Sequence, residues 1–444
     1  MNIRVLSIAA VCALTWSAGL AAQSGRREPE PSIVLCRSCQ QFHGCTAHGA
    51  QKKIDLSNLV ASGDSLTAGY QNSQLLFSSQ VHGYANVIAT QAGVDLNLPL
   101  LPSPGFPQIM IEGGFAVVTG VDPVARENNL PTRNVAVPGY TVAALVGYQA
   151  ACSPDPANPL YAIQFMAAEI LNPNCLDPAP TQLQEAASLL PTSSILWIGS
   201  NDALAPILFG GDPTDWATFG HLHGIAASTL AQASGKLVLA NVPDVTTIPY
   251  LTSVERLAGI LKLPLQTVMA GLGLGFGDKV SPYAFALIEA MGTSLQPLPE
   301  TTSDGAPVVL RAAKLWQVRR AVAQYNALIA EGATANDALL VDVNLLFREL
   351  AEHGVVVNGQ RLTTDFMGGL FSLDGIHPTN TGYAIIANEF IKAMNRCTAA
   401  GVPPVSVAQV AKTDPLVFPD SHPGKMTGHV SQQMADALRG VRPN

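Results

Sequence analysis

A serine in the N-terminal third of the chain lies where its hydroxyl could act as a nucleophile. In residues 59–70 an apolar run stops at Gly63, and helix-compatible residues follow it. This pattern predicts that Ser65 lies on the turn between a buried strand and a helix. Backbone N–H groups in the first turn of a helix lack intrahelical partners, so they can stabilise an oxyanion formed when the serine attacks a carbonyl carbon. A serine that only caps the helix is the ordinary alternative.

A second group of residues near the C-terminus could supply the base. Asp374 and His377 are three residues apart, just before a helix predicted over 380–395. A compact turn can bring both side chains to one edge of a sheet. The histidine could then take the serine proton while the aspartate orients the ring. Asp-x-x-His alone is a common pattern, and a capping aspartate beside a surface histidine is the alternative interpretation.

Two further residues could donate hydrogen bonds to an oxyanion. Gly139 follows a short apolar run and offers its backbone N–H, and Asn201 follows the next apolar run and offers its side-chain amide. Each is also typical of an ordinary turn or helix cap. Together with the Ser65 N–H they predict an oxyanion hole, since all of these sites follow separate predicted strands.

The elements that must position these residues alternate between strands and helices. Short, continuously apolar strands separated by helices are typical of a parallel sheet covered on both faces, and ligands bind beyond the carboxyl ends of its strands. The sequence predicts a central, mainly parallel five-stranded sheet, with strands at 59–62, 134–137, 194–198, 236–240 and 338–342. Helices are predicted at 80–92, 215–233, 310–333 and 380–395, with helical pieces within 143–190.

Three segments depart from this simple alternation. Residues 93–128 are rich in proline and glycine and predict a long structured loop. Residues 246–309 form an enlarged region after the fourth strand, in which Pro264 should kink a helix. Its glycine-rich stretch at 271–277 is either a flexible connection or the hinge or wall of an apolar acyl pocket. The tail at 398–444 is expected to be poorly ordered or draped on the surface.

The N-terminal residues have the pattern of a secretory signal peptide. One arginine, an apolar stretch and small residues around Ala21 and Ala22 predict cleavage after about residue 22, so the mature protein is expected to be secreted or periplasmic. The alternative is an uncleaved anchor. No other stretch is long and apolar enough to span a bilayer, so no integral membrane segment is expected after cleavage.

Six cysteines remain after signal cleavage, and an even number in an exported chain favours disulfides. Cys152 and Cys175 flank a loop rich in proline and asparagine that a disulfide could close. Cys397 could connect the last predicted helix to the N-terminal segment at 23–57. The pairing stays open, because Cys36, Cys39, Cys45 and His48 also have spacing that permits a zinc site.

Composition excludes some partners. The chain has a formal net charge of −8 and a pI near 5.6, which argues against nucleic acid, since a basic face would be expected for that ligand. With 48% hydrophobic and 13% charged residues, it can bury a large core. The sequence carries no clear signal of oligomeric state.

Taken together, these motifs resemble those of the GDSL, or SGNH, hydrolase family. The blocks 63–66, Gly139, 199–202 and 374–378 occur in family order, and the resemblance covers most of residues 59–393. It implies a flavodoxin-like three-layer α/β/α fold, with the hydrolase domain over 58–397. It also implies Ser65 as nucleophile, His377 as base and Asp374 as its orienting partner. The oxyanion hole would consist of the Ser65 and Gly139 N–H groups and the Asn201 amide.

The function implied is hydrolysis of carboxylic esters, by an esterase or lipase acting through an acyl-serine intermediate. The substrate would be a small-molecule or lipid ester, and neither a metal nor an organic cofactor is required. An acyltransferase that uses the same acyl-enzyme is one alternative, in which an alcohol replaces water as acceptor. A non-catalytic surface-binding module on the same fold is another.

Overall fold

The computed structural model describes residues 53–417 of the 444-residue chain, apart from residues 113–114, 128–129 and 293. The predicted signal peptide at 1–22 and the cysteines of the segment at 23–57 lie outside the described residues. In the part that is described, no helix is both long enough and apolar enough to cross a membrane.

Most strands are short, and only a few of them form the central sheet. In chain order the described strands are β1 (Leu59–Gly63), β2 (Gln108–Glu112), β3 (Phe115–Gly120), β4 (Ser193–Trp197), β5 (Leu237–Ala240), β6 (Thr252–Ser253), β7 (Lys279–Val280), β8 (Val309–Leu310), β9 (Leu339–Val341), β10 (Val355–Val357) and β11 (Gln360–Leu362).

The described helices follow the same order along the chain. They are α1 (Ser65–Ala68), α2 (Phe77–Gln80), α3 (Tyr84–Ala92), α4 (Val142–Gly147), α5 (Tyr161–Leu171), α6 (Gln182–Ser188), α7 (Ser200–Phe209), α8 (Trp216–Ala233), α9 (Val254–Leu261), α10 (Leu265–Leu272), α11 (Tyr283–Met291), α12 (Ala312–Ala335), α13 (Val343–His353), α14 (Asn380–Thr398) and α15 (Val407–Thr413).

The central sheet is parallel and has four strands in the order β1-β4-β5-β9. Ala61 pairs with Ile195, Ile195 with Val238, and Val238 with Leu339. Every residue of β1, β4 and β5 is buried, so both faces of the sheet are covered. This burial explains the continuous apolar runs of the sequence, because a strand covered on both sides has no face for alternating polar residues. The α/β class predicted from the sequence is therefore confirmed.

The predicted fifth strand at 134–137 is not confirmed, because the regular sheet has four strands. The segment lies beside β1, and Ala61 forms an isolated parallel bridge with Asn134. Its backbone pairs with β1 through three hydrogen bonds: Ala61 N donates to Arg133 O at 2.8 Å, Val135 N donates to Ala61 O at 2.9 Å, and Val137 N donates to Gly63 O at 3.2 Å. Thr132 Oγ1 accepts from Asn134 N at 3.0 Å, and Asn134 Oδ1 accepts from Ala136 N at 3.3 Å. These N–H groups alternate with the ones that pair with β1, and Pro138 has no N–H with which to continue the pairing.

The helices pack in two groups. α8 contacts α4, α6 and α12, whereas α14 contacts α3, α13 and α15. Both α12 and α14 also contact β9. Tyr84 and Phe390 stack with ring centroids 4.7 Å apart, and Tyr84 meets Trp197 of β4 edge to face. These large buried rings fix the helices to the sheet close to the end of β4.

Two loop predictions need correction. Residues 93–128, expected as a loop because they are rich in proline and glycine, contain the antiparallel hairpin β2–β3. The first part of the predicted surface tail is packed, because α15 lies against α14. Asp414 is buried and accepts hydrogen bonds from both Thr381 N and Thr381 Oγ1 at 2.7 Å. The tail beyond residue 417 lies outside the described residues.

The region at 246–309 has a small core of its own. Helices α9 and α10 are separate at Pro264, as expected, and β6, β7 and β8 form a three-stranded antiparallel sheet. Buried apolar residues including Leu257, Val268 and Val280 pack together in this core. The glycine-rich stretch ends α10 at Gly273, whose φ of +65° gives the left-handed cap that glycine adopts readily.

Candidate active site

Ser65 begins helix α1 directly after strand β1. Gly63 makes this turn possible: its φ is +153°, and a Cβ there would lie 2.2 Å from the Trp197 carbonyl oxygen. No other residue would fit so close to β4. Asp64 is the N-cap of α1, and its Oδ1 accepts from Leu66 N at 3.0 Å. The strand, glycine and cap thus place the Ser65 side chain at the carboxyl end of the sheet.

Ser65, His377 and Asp374 form one chain of hydrogen bonds. His377 Nε2 lies 2.8 Å from Ser65 Oγ, across 312 residues of sequence, and His377 Nδ1 lies 2.8 Å from Asp374 Oδ2. All three residues are buried. Since a carboxylate can only accept, Nδ1 carries the proton, and Nε2 is left to accept the hydroxyl proton of Ser65. The structure thus brings together all three residues that the sequence selected.

Asp374 is held by several donors besides the histidine. Its Oδ1 accepts from Ile376 N and His377 N, both at 2.8 Å, and its Oδ2 also accepts from Ser73 N at 2.8 Å. Burial raises the pKa of Asp374, but attraction to His377 and the hydrogen bonds from His377 and Ser73 outweigh it. The pKa of Asp374 consequently lies below its ordinary value, and the group remains a carboxylate in this buried position.

The three predicted oxyanion donors face the same end of the sheet. Gly139 has a φ of +83°. Among the described residues, neither Ser65 N nor Gly139 N donates a hydrogen bond to another group. Asn201 lies in the first turn of α7, and its Nδ2 donates to the Tyr140 carbonyl oxygen at 2.9 Å. One amide hydrogen of Asn201 is therefore used to hold the Gly139 turn, and the second remains for a ligand.

An apolar side chain borders this group of donors. A Cβ built on Gly139 would lie 2.7 Å from Cδ1 of Ile163, so the isoleucine covers the glycine closely. Ile163 belongs to α5 and is half-buried. Ile163 could not be identified from the sequence, because an isoleucine in an apolar helix carries no signal that distinguishes it from the core.

Two buried carboxyl groups lie behind the nucleophile. Burial raises the pKa of Asp64 to about 7, against the lowering effects of the Leu66 N–H and His377, while Asp202 raises it further. Burial also raises the pKa of Asp202 to about 6. Asp202 accepts from Val142 N at 2.9 Å and from Thr214 Oγ1 at 2.8 Å, so it joins α7 to the start of α4 behind the oxyanion donors.

The described part of the chain contains no candidate metal site, because its His, Cys, Asp and Glu residues form no group of three or more that could hold an ion. The zinc alternative at Cys36, Cys39, Cys45 and His48 lies outside the described residues. Cys152 and Cys175 are exposed free thiols that hydrogen-bond to each other, so the structure does not contain the disulfide expected between them.

Comparison with known proteins identifies the family. The family described as GDSL-like Lipase/Acylhydrolase matches residues 59–390, which is most of the chain. No curated protein matches the chain. The similar solved structures include an acetylxylan esterase, Axe2, from Geobacillus stearothermophilus, at 13% identity and a TM-score of 0.35, covering 77% of this chain and 96% of that one.

Two other solved structures show similarity at the same level. A lipase/acylhydrolase from Enterococcus faecalis has 12% identity and a TM-score of 0.33, covering 78% of this chain and 98% of that one. An alpha/beta hydrolase, LAE5, from the metagenome of Lake Arreo has 15% identity and a TM-score of 0.35, covering 77% and 96%. The assignment therefore rests on the family match: the chain belongs to the GDSL-like lipase/acylhydrolase family and is a carboxylic ester hydrolase.

Proposed function

We propose that the protein cleaves carboxylic esters by two-step acyl transfer through an acyl-serine at Ser65. The single observation that carries this proposal is the continuous hydrogen-bond chain from Ser65 Oγ to His377 Nε2 and from His377 Nδ1 to Asp374 Oδ2. A serine hydroxyl is a weak nucleophile, and an adjacent base that a third group orients is the arrangement that activates it.

In the first step, Ser65 Oγ attacks the ester carbonyl carbon while its proton moves to His377 Nε2. The negative charge that forms on the carbonyl oxygen is stabilised by the Ser65 and Gly139 N–H groups and the second amide hydrogen of Asn201. His377 then returns the proton to the leaving alcohol. In the second step, water adds to the acyl-serine while His377 takes a proton from it, and His377 then gives that proton to Ser65 Oγ as the carboxylic acid leaves.

The side chains beside the site favour an apolar group on the substrate. Ile163 covers Gly139, and Tyr70 packs against the His377 ring with centroids 4.9 Å apart. A carbonyl carbon within reach of Ser65 Oγ must place one of its two substituents near these residues. An alkyl acyl chain or an apolar alcohol would bury surface there, which favours esterase or lipase substrates.

We also propose that the region at 246–309 forms one wall of the substrate site. Tyr250 N donates to the Gly375 carbonyl oxygen at 2.8 Å, and Gly375 lies between Asp374 and His377. A Cβ on Gly375 would meet Tyr250 N at 2.8 Å, so the two segments are in close contact. The flavodoxin-like layering implied by the family resemblance is part of the same proposal, and the burial of β1, β4 and β5 supports it.

The site of action is proposed to be outside the cytoplasm. The N-terminal pattern at 1–22 supports export, and cleavage would leave a mature chain starting near residue 23. Expression of the full chain followed by N-terminal sequencing of the released protein tests this. A mature protein that retains residues 1–22 would contradict the proposed cleavage.

Covalent labelling tests the nucleophile. The purified protein is treated with a fluorophosphonate probe beside Ser65→Ala and Ser62→Ala variants, and the same samples are assayed with p-nitrophenyl esters of rising chain length. Ser62 is a matched control because it is a buried serine on β1 whose Oγ has no hydrogen-bond partner among the described residues. We expect labelling and turnover to be lost in Ser65→Ala only.

Product analysis separates hydrolysis from transfer. When a primary alcohol is added to the ester assay, a hydrolase releases mainly the free acid, whereas an acyltransferase forms the new ester. If the new ester is the main product, the protein is an acyltransferase and not a hydrolase. A folded wild-type protein that neither labels nor turns over any ester would contradict the acyl-serine mechanism.

A further inference from the structure

A tight turn directly after the nucleophile helix has an unusual conformation. Gln71 N donates to Gln74 O at 3.1 Å, and Gln74 N donates to Gln71 O at 2.9 Å, so Asn72 and Ser73 are the two central residues of a hairpin-like turn. Asn72 has a φ of +53° and Ser73 a φ of +59°. Two consecutive left-handed residues other than glycine are maintained only where surrounding contacts hold them.

Those contacts lie on the loop that carries Asp374. Asn72 Oδ1 accepts from Leu373 N at 2.9 Å, and Asn72 N donates to Ser372 Oγ at 3.0 Å. Ser372 Oγ in turn donates to Asp374 Oδ1 at 3.1 Å. About 300 residues of sequence separate the two segments, yet the turn bonds to three consecutive residues of the loop.

The most direct of these contacts reaches the carboxylate itself. Ser73 N donates at 2.8 Å to Asp374 Oδ2, the same oxygen that accepts from His377 Nδ1. The left-handed conformation of Ser73 directs its N–H toward that oxygen. A shift of the turn would therefore move the acceptor that orients the His377 ring.

Tyr70 fastens the turn to the histidine side of the site. Its hydroxyl donates to Ser73 O at 2.6 Å, its carbonyl oxygen accepts from Tyr383 OH at 2.8 Å, and its ring packs against His377. The same short segment thus contacts the carboxylate, the imidazole and helix α14.

We infer that Asn72 and Ser73 are positioning residues for the reaction, which hold Asp374 Oδ2 at the place from which it orients His377 toward Ser65. This inference rests on the proposed acyl-serine mechanism. Neither residue need touch the substrate. Their loss should therefore slow the chemical step and leave substrate binding largely intact.

The experiment compares variants of Asn72 and Ser73 in the full chain. Asn72→Gly permits the left-handed conformation but removes the acceptor for Leu373 N, and Ser73→Ile places a β-branched residue where φ is positive. Ser73→Gly is the conservative variant, because it keeps the N–H and adopts this φ without strain. kcat and KM for a p-nitrophenyl ester, the rate of fluorophosphonate labelling, and thermal unfolding are measured for each.

A matched control lies at the tip of the β10–β11 hairpin. Asn358 has a φ of +52°, is exposed, and donates from Nδ2 to Ala408 O at 2.9 Å, away from the triad. Asn358→Gly likewise removes a hydrogen bond between an asparagine side chain and the backbone from a left-handed hairpin turn. Its kcat and labelling rate should match those of the wild type.

For Ser73→Ile we expect kcat and the labelling rate to fall about 100-fold with KM little changed, because small misplacements of catalytic groups have effects of this size. In Asn72→Gly, kcat and the labelling rate should fall about tenfold. Ser73→Gly should keep most of the rate that is lost in Ser73→Ile. If Ser73→Ile does not fold, the comparison of kcat and labelling rate between Asn72→Gly and Asn358→Gly is sufficient to test the positioning role.

Three outcomes overturn the inference. Folded Asn72→Gly with the kcat and labelling rate of wild type would show that the turn has no positioning role, while the wild-type labelling at Ser65 would leave the proposed mechanism intact. An equal loss of kcat and labelling rate in Asn358→Gly would show that the loss comes from changing any hairpin turn and not from the contact with Asp374. Absence of labelling in the wild-type protein would instead overturn the mechanism and the inference together.

Discussion

Asn201 donates a hydrogen bond from its side-chain amide to the carbonyl oxygen of Tyr140, at 2.9 Å. This contact joins two of the three proposed oxyanion donors, because Tyr140 directly follows Gly139. It fixes the plane of the Asn201 amide before any substrate binds. Donors that are oriented in advance stabilise a developing charge without the cost of reorganisation.

Replacement of Asn201 by alanine should therefore lower kcat by about 10²–10³-fold and leave activity detectable, since two backbone donors remain. The measurement is steady-state kinetics with a short p-nitrophenyl ester. Asn336→Ala is the control, because Asn336 Nδ2 also donates to a backbone carbonyl, Gly332 O at 2.8 Å, at the end of α12. If kcat of Asn201→Ala is less than about threefold below that of the wild type, Asn201 does not belong to the oxyanion hole.

The Gly139 turn should tolerate no side chain. Alanine at this position would have to adopt a φ of +83°, and its Cβ would crowd Cδ1 of Ile163 at 2.7 Å. Strain of this kind typically costs about 1–3 kcal/mol, so we expect Gly139→Ala to lower kcat by roughly tenfold or more.

The double variant Gly139→Ala/Ile163→Ala separates the two causes. Removing the isoleucine relieves the crowding but leaves the backbone strain, so activity should recover only in part. Ile163→Ala alone should lower kcat/KM for longer acyl chains more than for acetyl esters, because it deletes apolar contact surface. An unchanged chain-length profile in this single variant would show that Ile163 does not border the substrate.

The sequence was sufficient to predict the three hydrogen-bonded residues of the site and all four strands of the sheet that holds them. Ser65, Asp374 and His377 could be selected because each combines a reactive residue type with a strand end or a helix start. Strands buried on both faces leave continuous apolar runs, so β1, β4, β5 and β9 were recognisable within one or two residues. The short run at 134–137 has the same appearance, and its backbone bonds to β1 at Ala61 and Gly63 without adding a regular fifth strand to the sheet.

Contacts between distant segments could not be predicted in this way. Asn72 and Ser73 are residues typical of turns, but nothing in their spacing indicates a bond to Asp374. Gln182 is a similar case: its buried side chain bonds both the N–H and the carbonyl oxygen of Gly63, at 3.1 and 3.0 Å, and so completes the edge of β1. Such pairings depend on the tertiary arrangement and leave no periodic pattern in either segment.

The loop that carries α5 should be closed by a disulfide between Cys152 and Cys175. The Cys175 thiol hydrogen-bonds Cys152 and raises the pKa of the Cys152 thiol, so the two sulfur atoms are near neighbours. Oxidation would constrain the unfolded chain over residues 152–175 and raise the midpoint of thermal unfolding. Thiol labelling of the oxidised protein, followed by peptide mapping, measures the pairing.

Single replacements provide the control for this disulfide. Cys152→Ser and Cys175→Ser should lower the unfolding midpoint by equal amounts, and a reducing agent should lower the wild type to the same level. Equal labelling of both thiols in oxidised protein would contradict the pairing. Because α5 also carries Ile163, reduction should change KM for long-chain esters more than kcat for acetyl esters.

Asp64 should make the free energy of unfolding depend on pH. Its ordinary pKa is 3.8, and burial raises the pKa in the folded protein to about 7. Between these values the folded state retains a proton that the unfolded state has released, so the free energy of unfolding decreases as pH rises toward 7. A difference of about three pKa units corresponds to roughly 4 kcal/mol.

The variant Asp64→Asn removes this titration but keeps an oxygen that can accept from Leu66 N. Its free energy of unfolding relative to wild type should increase from about pH 4 to about pH 8, as measured by urea denaturation at both values. Asp215→Asn is a control for which the pH dependence of the free energy of unfolding should have the opposite sign. Asp215 is an exposed N-cap whose pKa is lowered by hydrogen bonds from Thr218 and Ala217, so its contribution is present at high pH and lost as pH falls. If Asp64→Asn and wild type differ equally at both pH values, Asp64 does not remain protonated in the folded protein.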